Sequence, residues 1–217
     1  MPHVSIIYPF SLVLYCRQEM DMATLYYQGH GSYRITTNAG TVVYIDPFAG
    51  KGYDQKADLV LVTHEHYDHN KVELVEMKPD GKIIREKDML IGGVYRHAVV
   101  KDVTITAVPA YNAHHDKKEC VGYLLETDGI KLYAAGDTSK TDYMKELGKE
   151  HLDWAILPID GIYNMGPLEA SSCAKLIGAK HTIPVHMKPG KLFDEATARS
   201  FTTDGRVIMH PDEEIPL

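Results

Sequence analysis

The run Leu59-Val60-Leu61-Val62-Thr63 reads as a short β-strand, and it ends directly in His64-Glu65-His66-Tyr67-Asp68-His69. Three imidazoles and an aspartate are thereby crowded into six residues at a strand exit. Crowding so many ionisable groups brings no packing benefit, and a metal ion offsets the desolvation they suffer. Imidazole and carboxylate are ligands that zinc and similar divalent metals accept, and a catalytic site needs several of them beside an open position. The fold must therefore bring further ligands from distant segments to this strand exit.

Composition narrows the partners. The chain has 217 residues, twelve of them histidine, and a net charge of -7 with Lys and Arg scattered. No clustered basic face of the kind that grips phosphate backbones is present, so nucleic acid is not an expected partner. Cys16, Cys120 and Cys173 are far apart and form no C-x-x-C pair, which argues against a disulfide framework and for a reducing, cytoplasmic setting. Val4 to Cys16 is apolar but broken by Pro9 and shorter than the ~20 residues a membrane span needs. No Lys or Arg precedes it and no small-x-small cleavage pattern follows, so residues 1–22 are expected to be a non-core extension and 23–217 one domain.

From Thr24 onward the pattern predicts β runs over Thr24 to Tyr27, Ser32 to Thr36, Val42 to Ile45, Leu59 to Thr63, Thr104 to Val108, Gly122 to Glu126, Ile130 to Ala134, Trp154 to Pro158 and Thr182 to Val185. Asn38-Ala39-Gly40 and Asp128-Gly129 are hairpin signals, because Asn and Gly accept positive φ cheaply. Helices are predicted at Tyr143 to Lys149, Pro167 to Gly178 and Asp194 to Ser200, with a short one opening near Asp68. In the second of these, Ala170, Cys173, Ala174 and Ile177 form one apolar stripe. Two sheets packed face to face with helices on the outer faces give each element one buried face, an α/β (α+β) sandwich.

Three more strand ends carry metal-competent groups: Pro109-Ala110-Tyr111-Asn112-Ala113-His114-His115-Asp116, Gly136-Asp137-Thr138, and His186 after Val185. Taken singly, a lone His is more often a hydrogen-bonded structural residue and Gly-Asp-Thr a turn. Once the His64 to His69 run is taken as a site, all three gain weight together.

Thr63-His64-Glu65-His66-Tyr67-Asp68-His69, the Pro-Ala-Tyr-Asn loop with its His, Gly136-Asp137-Thr138 and Pro184-Val185-His186 together resemble the metallo-β-lactamase superfamily. Gly29-His30-Gly31-Ser32, Ile45-Asp46-Pro47-Phe48, Gly122-Tyr123-Leu124 and Met165-Gly166-Pro167-Leu168-Glu169-Ala170 are similar to its small single-domain metal-dependent hydrolase branch, which includes ascorbate-6-phosphate lactonase-like proteins. The resemblance runs from about Ala23 to the C-terminus.

That resemblance implies a four-layer αββα sandwich with two mixed sheets, and two divalent ions per chain, zinc first with manganese or iron as alternatives. His64, His66 and the loop His would hold one ion, Asp68, His69 and His186 the other, and Asp137 would bridge. His114 and His115 compete for the loop position, and spacing to Val121-Gly122-Tyr123 resembles the family pattern better for His115. The reaction implied is hydrolysis of a small ester, lactone, amide or phosphoester by a metal-bridging hydroxide, with Asp68 orienting it and able to take its proton.

Asp46 is the expected anchor for a ligand imidazole, against a plain Asp-Pro turn, and His30 a hydrogen-bonding residue under the site. Tyr163 and Asn164 are expected near the mouth, as is the His of the pair that does not ligate, while Lys188 is an anion contact or a solvated surface lysine. Rival readings are a mononuclear iron dioxygenase, an RNA-processing nuclease and a retired enzyme kept as an interaction module. The presence of His66 rather than Glu argues against di-iron redox chemistry, and oligomeric state is open, a homo-oligomer included.

Overall fold

A computed structural model describes residues 22–217. The expected extension over residues 1–22 falls almost wholly outside the described residues, and so does the apolar stretch from Val4.

The first sheet begins with β1 (Thr24–Gly29), β2 (Ser32–Thr36), β3 (Val42–Ile45), β4 (Ala57–Leu61) and β5 (Met77–Ile84). After α1 (Glu86–Met89) comes a small hairpin of β6 (Leu90–Ile91) and β7 (Val94–Tyr95). The second sheet follows with β8 (His97–Val100), β9 (Val103–Pro109), β10 (Val121–Thr127) and β11 (Ile130–Ala134). It continues through α2 (Met144–Leu147), β12 (Trp154–Pro158), α3 (Pro167–Ile177) and β13 (His181–Val185). After α4 (Glu195–Ser200) the last strand, β14 (Glu214–Pro216), returns to the first sheet. Strand order is β14-β1-β2-β3-β4-β5 in one sheet and β13-β12-β11-β10-β9-β8 in the other.

Each sheet mixes hairpins with a parallel set: β3, β4 and β5 run parallel, and so do β11, β12 and β13. Asp128 and Gly129 have φ of 51° and 75°, the backbone that a tight β10–β11 hairpin demands. The main core lies between the sheets, where Leu25, Ile35, Leu59 and Leu61 meet Ile105, Tyr123, Leu132 and Ile156.

The outer faces are covered unequally. On the second sheet, Tyr133, Ala155 and Leu157 pack under α2, α3 and α4 through Met144, Leu147, Cys173, Ile177 and Phe201. Helix α3 follows its sequence signals: Pro167 opens it after Gly166, and Gly178 closes it at φ 67°. On the first sheet, Val42, Tyr44, Val60 and Val62 are covered by Tyr53, Val72, Val75 and Met77, so this layer is loop and one 3-10 turn at Val72–Leu74.

That turn corrects one expectation. No helix opens at Asp68; instead His69 N donates to His66 O in a tight turn. A helix would carry successive side chains around its axis, whereas the turn lets His66, Asp68 and His69 converge.

Candidate metal centre

Parallel strands end on the same rim, and a hairpin puts the end of one strand beside the start of the next. The carboxyl ends of β3, β4, β9, β11, β12 and β13, with the β1–β2 turn, therefore meet at one edge of the sandwich. Crevices outside strand carboxyl ends are the usual ligand sites of such sheets. Here that edge carries His30, Asp46, His64 to His69, His115, Asp137, Asp160 and His186.

Three groups of metal-competent atoms assemble there among the described residues: His64, His66 and His115 form one, His30, Asp68, His69 and His186 another, and His64, His69 and Asp137 a third that joins the first two. Asp137 stands between them: its carboxylate oxygens lie 3.4 Å from His69 Nε2, 3.3 Å from His115 Nε2 and 3.5 Å from His186 Nε2. Gly136, at φ 62°, makes this placement possible, because a Cβ there would sit 2.9 Å from the Thr63 side chain.

The rings are anchored from behind. Asp46 accepts from Thr63 N and Thr63 Oγ1, both at 2.7 Å, and from His69 Nδ1 at 2.9 Å. Since Thr63 spends its proton on Asp46, its oxygen accepts from His64 Nδ1 at 3.0 Å. Asn112 Oδ1 takes His115 Nδ1 at 3.0 Å, and Asp160 Oδ2 lies 3.0 Å from His186 Nδ1. Three imidazoles, His64, His69 and His115, are thus fixed through Nδ1, and the His186 ring is faced there by the Asp160 carboxylate without a hydrogen bond, which leaves Nε2 of each free to ligate. In agreement, the Nε2 atoms of His64, His69 and His186 are buried and make no hydrogen bond. Buried polar atoms without partners are rare, and this donor set fits a divalent metal.

His30 differs from these four. Its Nδ1 faces Lys191 O at 3.0 Å and its Nε2 faces Asp68 Oδ2 at 3.1 Å, so both nitrogens are taken by protein oxygens and the ring steadies Asp68. His66 is exposed at the cavity wall.

Electrostatics favour positive charge at this spot. Burial would raise the carboxyls of Asp68 and Asp137, but the surrounding imidazoles outweigh it and hold both below the usual carboxylate range. Burial would lower His69 and His186, yet the Asp137 charge dominates, lifting His69 well above its ordinary value and His186 to about 9. His64, farther into the imidazole group, is pushed well down by burial and by His69. A metal taken up by His69 and His186 would accordingly displace protons.

The backbone is strained where the ligands sit. His30, Asp46 and His186 have φ of 57°, 47° and 47°, a region that non-glycine residues adopt at a cost of ~1–3 kcal/mol each. The strain is held by local bonds, such as His186 N to His30 O at 2.8 Å.

A cavity of about 490 Å³ opens over Asp68, Asp137, His115 and His186. Tyr67, His114, Tyr163 and Pro189 wall it, with the His114 and Tyr163 rings edge to face at 5.5 Å. Asn164 is buried beneath, bonded to Asp160 and Asn112, and supports the wall without lining it. Lys188 does not line the cavity; its ammonium lies 3.9 Å from Asp194, and the side chain is 52 % exposed. Its placement is that of a surface lysine.

Sequence reasoning missed three anchors: Thr63, Asn112 and Asp160. Asp160 follows the exit of β12 as Asp137 follows that of β11, and applying the strand-end rule there would have found it. Thr63 and Asn112 carry no such signal.

A fold and a rim of this kind define a class, the metal-dependent hydrolases built on a β-lactamase-type sandwich. A family model described as the Beta-lactamase superfamily domain matches residues 24–186. A UPF0173 metal-dependent hydrolase of Thermococcus onnurineus is 32% identical over 192 residues, 76% of this chain and 84% of that protein. Another, of Methanoregula boonei, is 34% identical over 66% of this chain and 73% of its own length. Among solved structures, a proposed metal-dependent hydrolase of Parabacteroides distasonis superposes at TM-score 0.71 with 29% identity, covering 86% of this chain and 92% of the other. The metallo hydrolase Igni18 of Ignicoccus hospitalis shares the fold at TM-score 0.70 and 22% identity, over 91% and 99% of the two chains. The chain belongs to the beta-lactamase superfamily and, within it, to the UPF0173 metal-dependent hydrolases.

Proposed function

We propose that the enzyme is a dinuclear hydrolase of a small ester, lactone, amide or phosphoester. His64, His66 and His115 would hold one divalent ion and Asp68, His69 and His186 the other, with Asp137 shared between them. The observation that carries this reading is the position of Asp137, in reach of imidazoles from both groups at 3.3 to 3.5 Å. Such a pair of ions supplies Lewis acidity toward the substrate oxygen and a nucleophilic water at neutral pH.

The chain's own groups do the rest. Asp68, 16 % exposed and facing the cavity, stays ionised and accepts the proton of the attacking water, held in place by His30. The water oxygen bonds to the acyl carbon or phosphorus, the bond to the leaving group breaks, and the proton passes to that group. Asp46, Asn112 and Asp160 keep the imidazoles from turning as charge shifts. Tyr67, Tyr163 and His114 wall the cavity, whose volume of about 490 Å³ suits a small molecule. Zinc suits the imidazole-rich set, and manganese and iron share its ligand preferences.

The test is metal analysis of the full chain alongside turnover of chromogenic esters and phosphodiesters. The expected result is two ions per chain, falling to one or none in Asp137→Ala with a loss of activity of about a thousandfold. One iron per chain with oxygen consumption would overturn the hydrolase reading, and unchanged metal content and turnover in Asp137→Ala would overturn the bridge.

A further inference from the structure

Beside the cavity over Asp137 lies a second, of about 480 Å³. The two share Glu65, His66, His114 and His115, so a ridge of imidazoles is their common wall. The first adds Tyr67, Tyr163 and Pro189 beside the rim groups Asp68, Asp137 and His186, whereas the second adds Glu86, Asp116 and Glu119 beside His64 and Cys120, so its additional acids lie outside the His and Asp set described above.

Glu86 is the unusual member. It opens α1, is 7 % exposed, and its Oε2 is buried without a hydrogen-bond partner. A buried carboxylate oxygen with nothing to pair is costly unless a ligand supplies the partner. Burial first, and Glu65 second, push its carboxyl up from the ordinary value. Two local cations are engaged elsewhere, Arg85 Nη1 bonding Glu65 Oε1 at 2.6 Å and Lys117 Nζ lying 5.5 Å from the Tyr111 ring centre, while Lys87 and Arg85 act on Glu86 through space without forming an ion pair. Among the described residues no ion pair reaches Glu86, Asp116 or Glu119.

A further metal ion is the poorer occupant. His64, His66 and His115 have ligand atoms close enough to share an ion, but no group of three such atoms among the described residues includes Glu86. An organic cation needs no such convergence; it needs a counter-charge, acceptors and room, which this cavity has.

We propose that the acid-walled cavity takes a cationic group of the substrate, a primary ammonium or a guanidinium, with Glu86 as its buried counter-charge and the scissile bond lying across the His66–His115 ridge. This deepens the hydrolase reading and rests on it for the placement of the scissile bond. Asp116 and Glu119, at the exposed side, attract the cation, while Glu86 fixes its depth. The substrate is then a small molecule with an electrophilic centre and a positive arm.

The test uses two chromogenic esters that differ in that arm, 4-nitrophenyl 6-aminohexanoate and 4-nitrophenyl hexanoate, on the metal-loaded full chain. The cationic ester is expected to show kcat/KM about tenfold above the neutral one, with the difference in KM, since charge-assisted bonds of this sort are worth about that factor. Glu86→Gln should bring the ratio to about one, and Glu119→Gln should lower it about twofold to threefold. A ratio at or below one in the parent chain, or one unmoved by Glu86→Gln, overturns the proposal. Should Glu86→Gln fail to fold by circular dichroism, the Asp116→Asn, Glu119→Gln double variant takes its place, with an unmoved ratio again the overturning result.

If neither ester is cleaved, the ester reading of the reaction fails by itself, and calorimetric titration with hexylamine and with 1-hexanol still decides the cavity. Hexylamine bound more tightly than 1-hexanol, and weakened by the variants, sustains the subsite; equal binding overturns it. A metal ion lost from Glu86→Gln with amine binding unchanged also overturns it.

Discussion

Near the start of β4, Asp58 is buried and fully engaged: Lys78 Nζ bonds Oδ2 at 2.6 Å, Lys101 bonds Oδ1, and Val42 N donates at 2.8 Å. Just beyond the other end of the same strand, His64 is buried with its Nε2 facing no protein partner. The two rims of the sandwich thus treat buried polar groups in opposite ways. At the Asp58 rim the chain completes its own network, extended by Thr41 and Thr127 bonding Asp102. At the His64 rim the outward nitrogens of His64, His69 and His115 are bonded through Thr63, Asp46 and Asn112, while the inward nitrogens of His64, His69 and His186 meet no hydrogen-bond partner. A satisfied network is a stability device, and an incomplete one is a binding site.

Asp46→Asn is expected to break the contrast most. It removes the carboxylate that orients both His69 and, through Thr63, His64, so metal affinity should fall about 10- to 100-fold in a chelator-competition titration. An affinity within twofold of the parent would mean that the rings hold themselves.

Asp58→Asn should act on stability alone. Loss of its charge costs about 1–3 kcal/mol by denaturant unfolding, with the lower end favoured because Lys78 and Lys101 can rehydrate, and metal affinity unchanged. Burial would raise the Asp58 carboxyl, but the bonds from Lys101, Lys78 and Val42 N–H outweigh that and lower it below 3.8. Its contribution is therefore present above the unfolded value of 3.8 and is lost as pH falls through the lower folded value. The variant should lack that segment of the acid-denaturation curve; a curve superimposable on the parent's would refute the assignment.

Lys188→Ala closes the series with the smallest effect. An exposed lysine 3.9 Å from its partner should change turnover less than about twofold. A larger loss in kcat/KM would return Lys188 to the list of substrate contacts.

Much of the sandwich is legible along the chain. From Leu59 to Leu61 β4 is apolar at every position because the strand is buried on both faces, and the stripe of α3 shows on one side because only that side meets a sheet. Strand β5 escaped notice because Met77-Lys78-Pro79-Asp80-Gly81-Lys82-Ile83-Ile84 is an edge, with polar residues turned to solvent and Lys78 reaching back to Asp58. The side chains that gather at the rim were legible because strand ends repeat one chemistry. Of the groups that hold the rings, Asp46 was legible beside its proline, while Thr63 and Asn112 were not, because which ring nitrogen they meet is a matter of tertiary geometry. Glu86 likewise reads as one more surface acid until α1 turns it inward.

The ligands reach the rim from both sheets: His64, His66, Asp68 and His69 follow β4, while His115, Asp137 and His186 follow β9, β11 and β13. An ion seated among them is a clasp across the sandwich, closing the long span of chain between His64 and His186. Among the described residues the free cysteines Cys120 and Cys173 form no such tie. Metal bound across this rim would link loading to folding, because parting the two sheets would then mean releasing the ion.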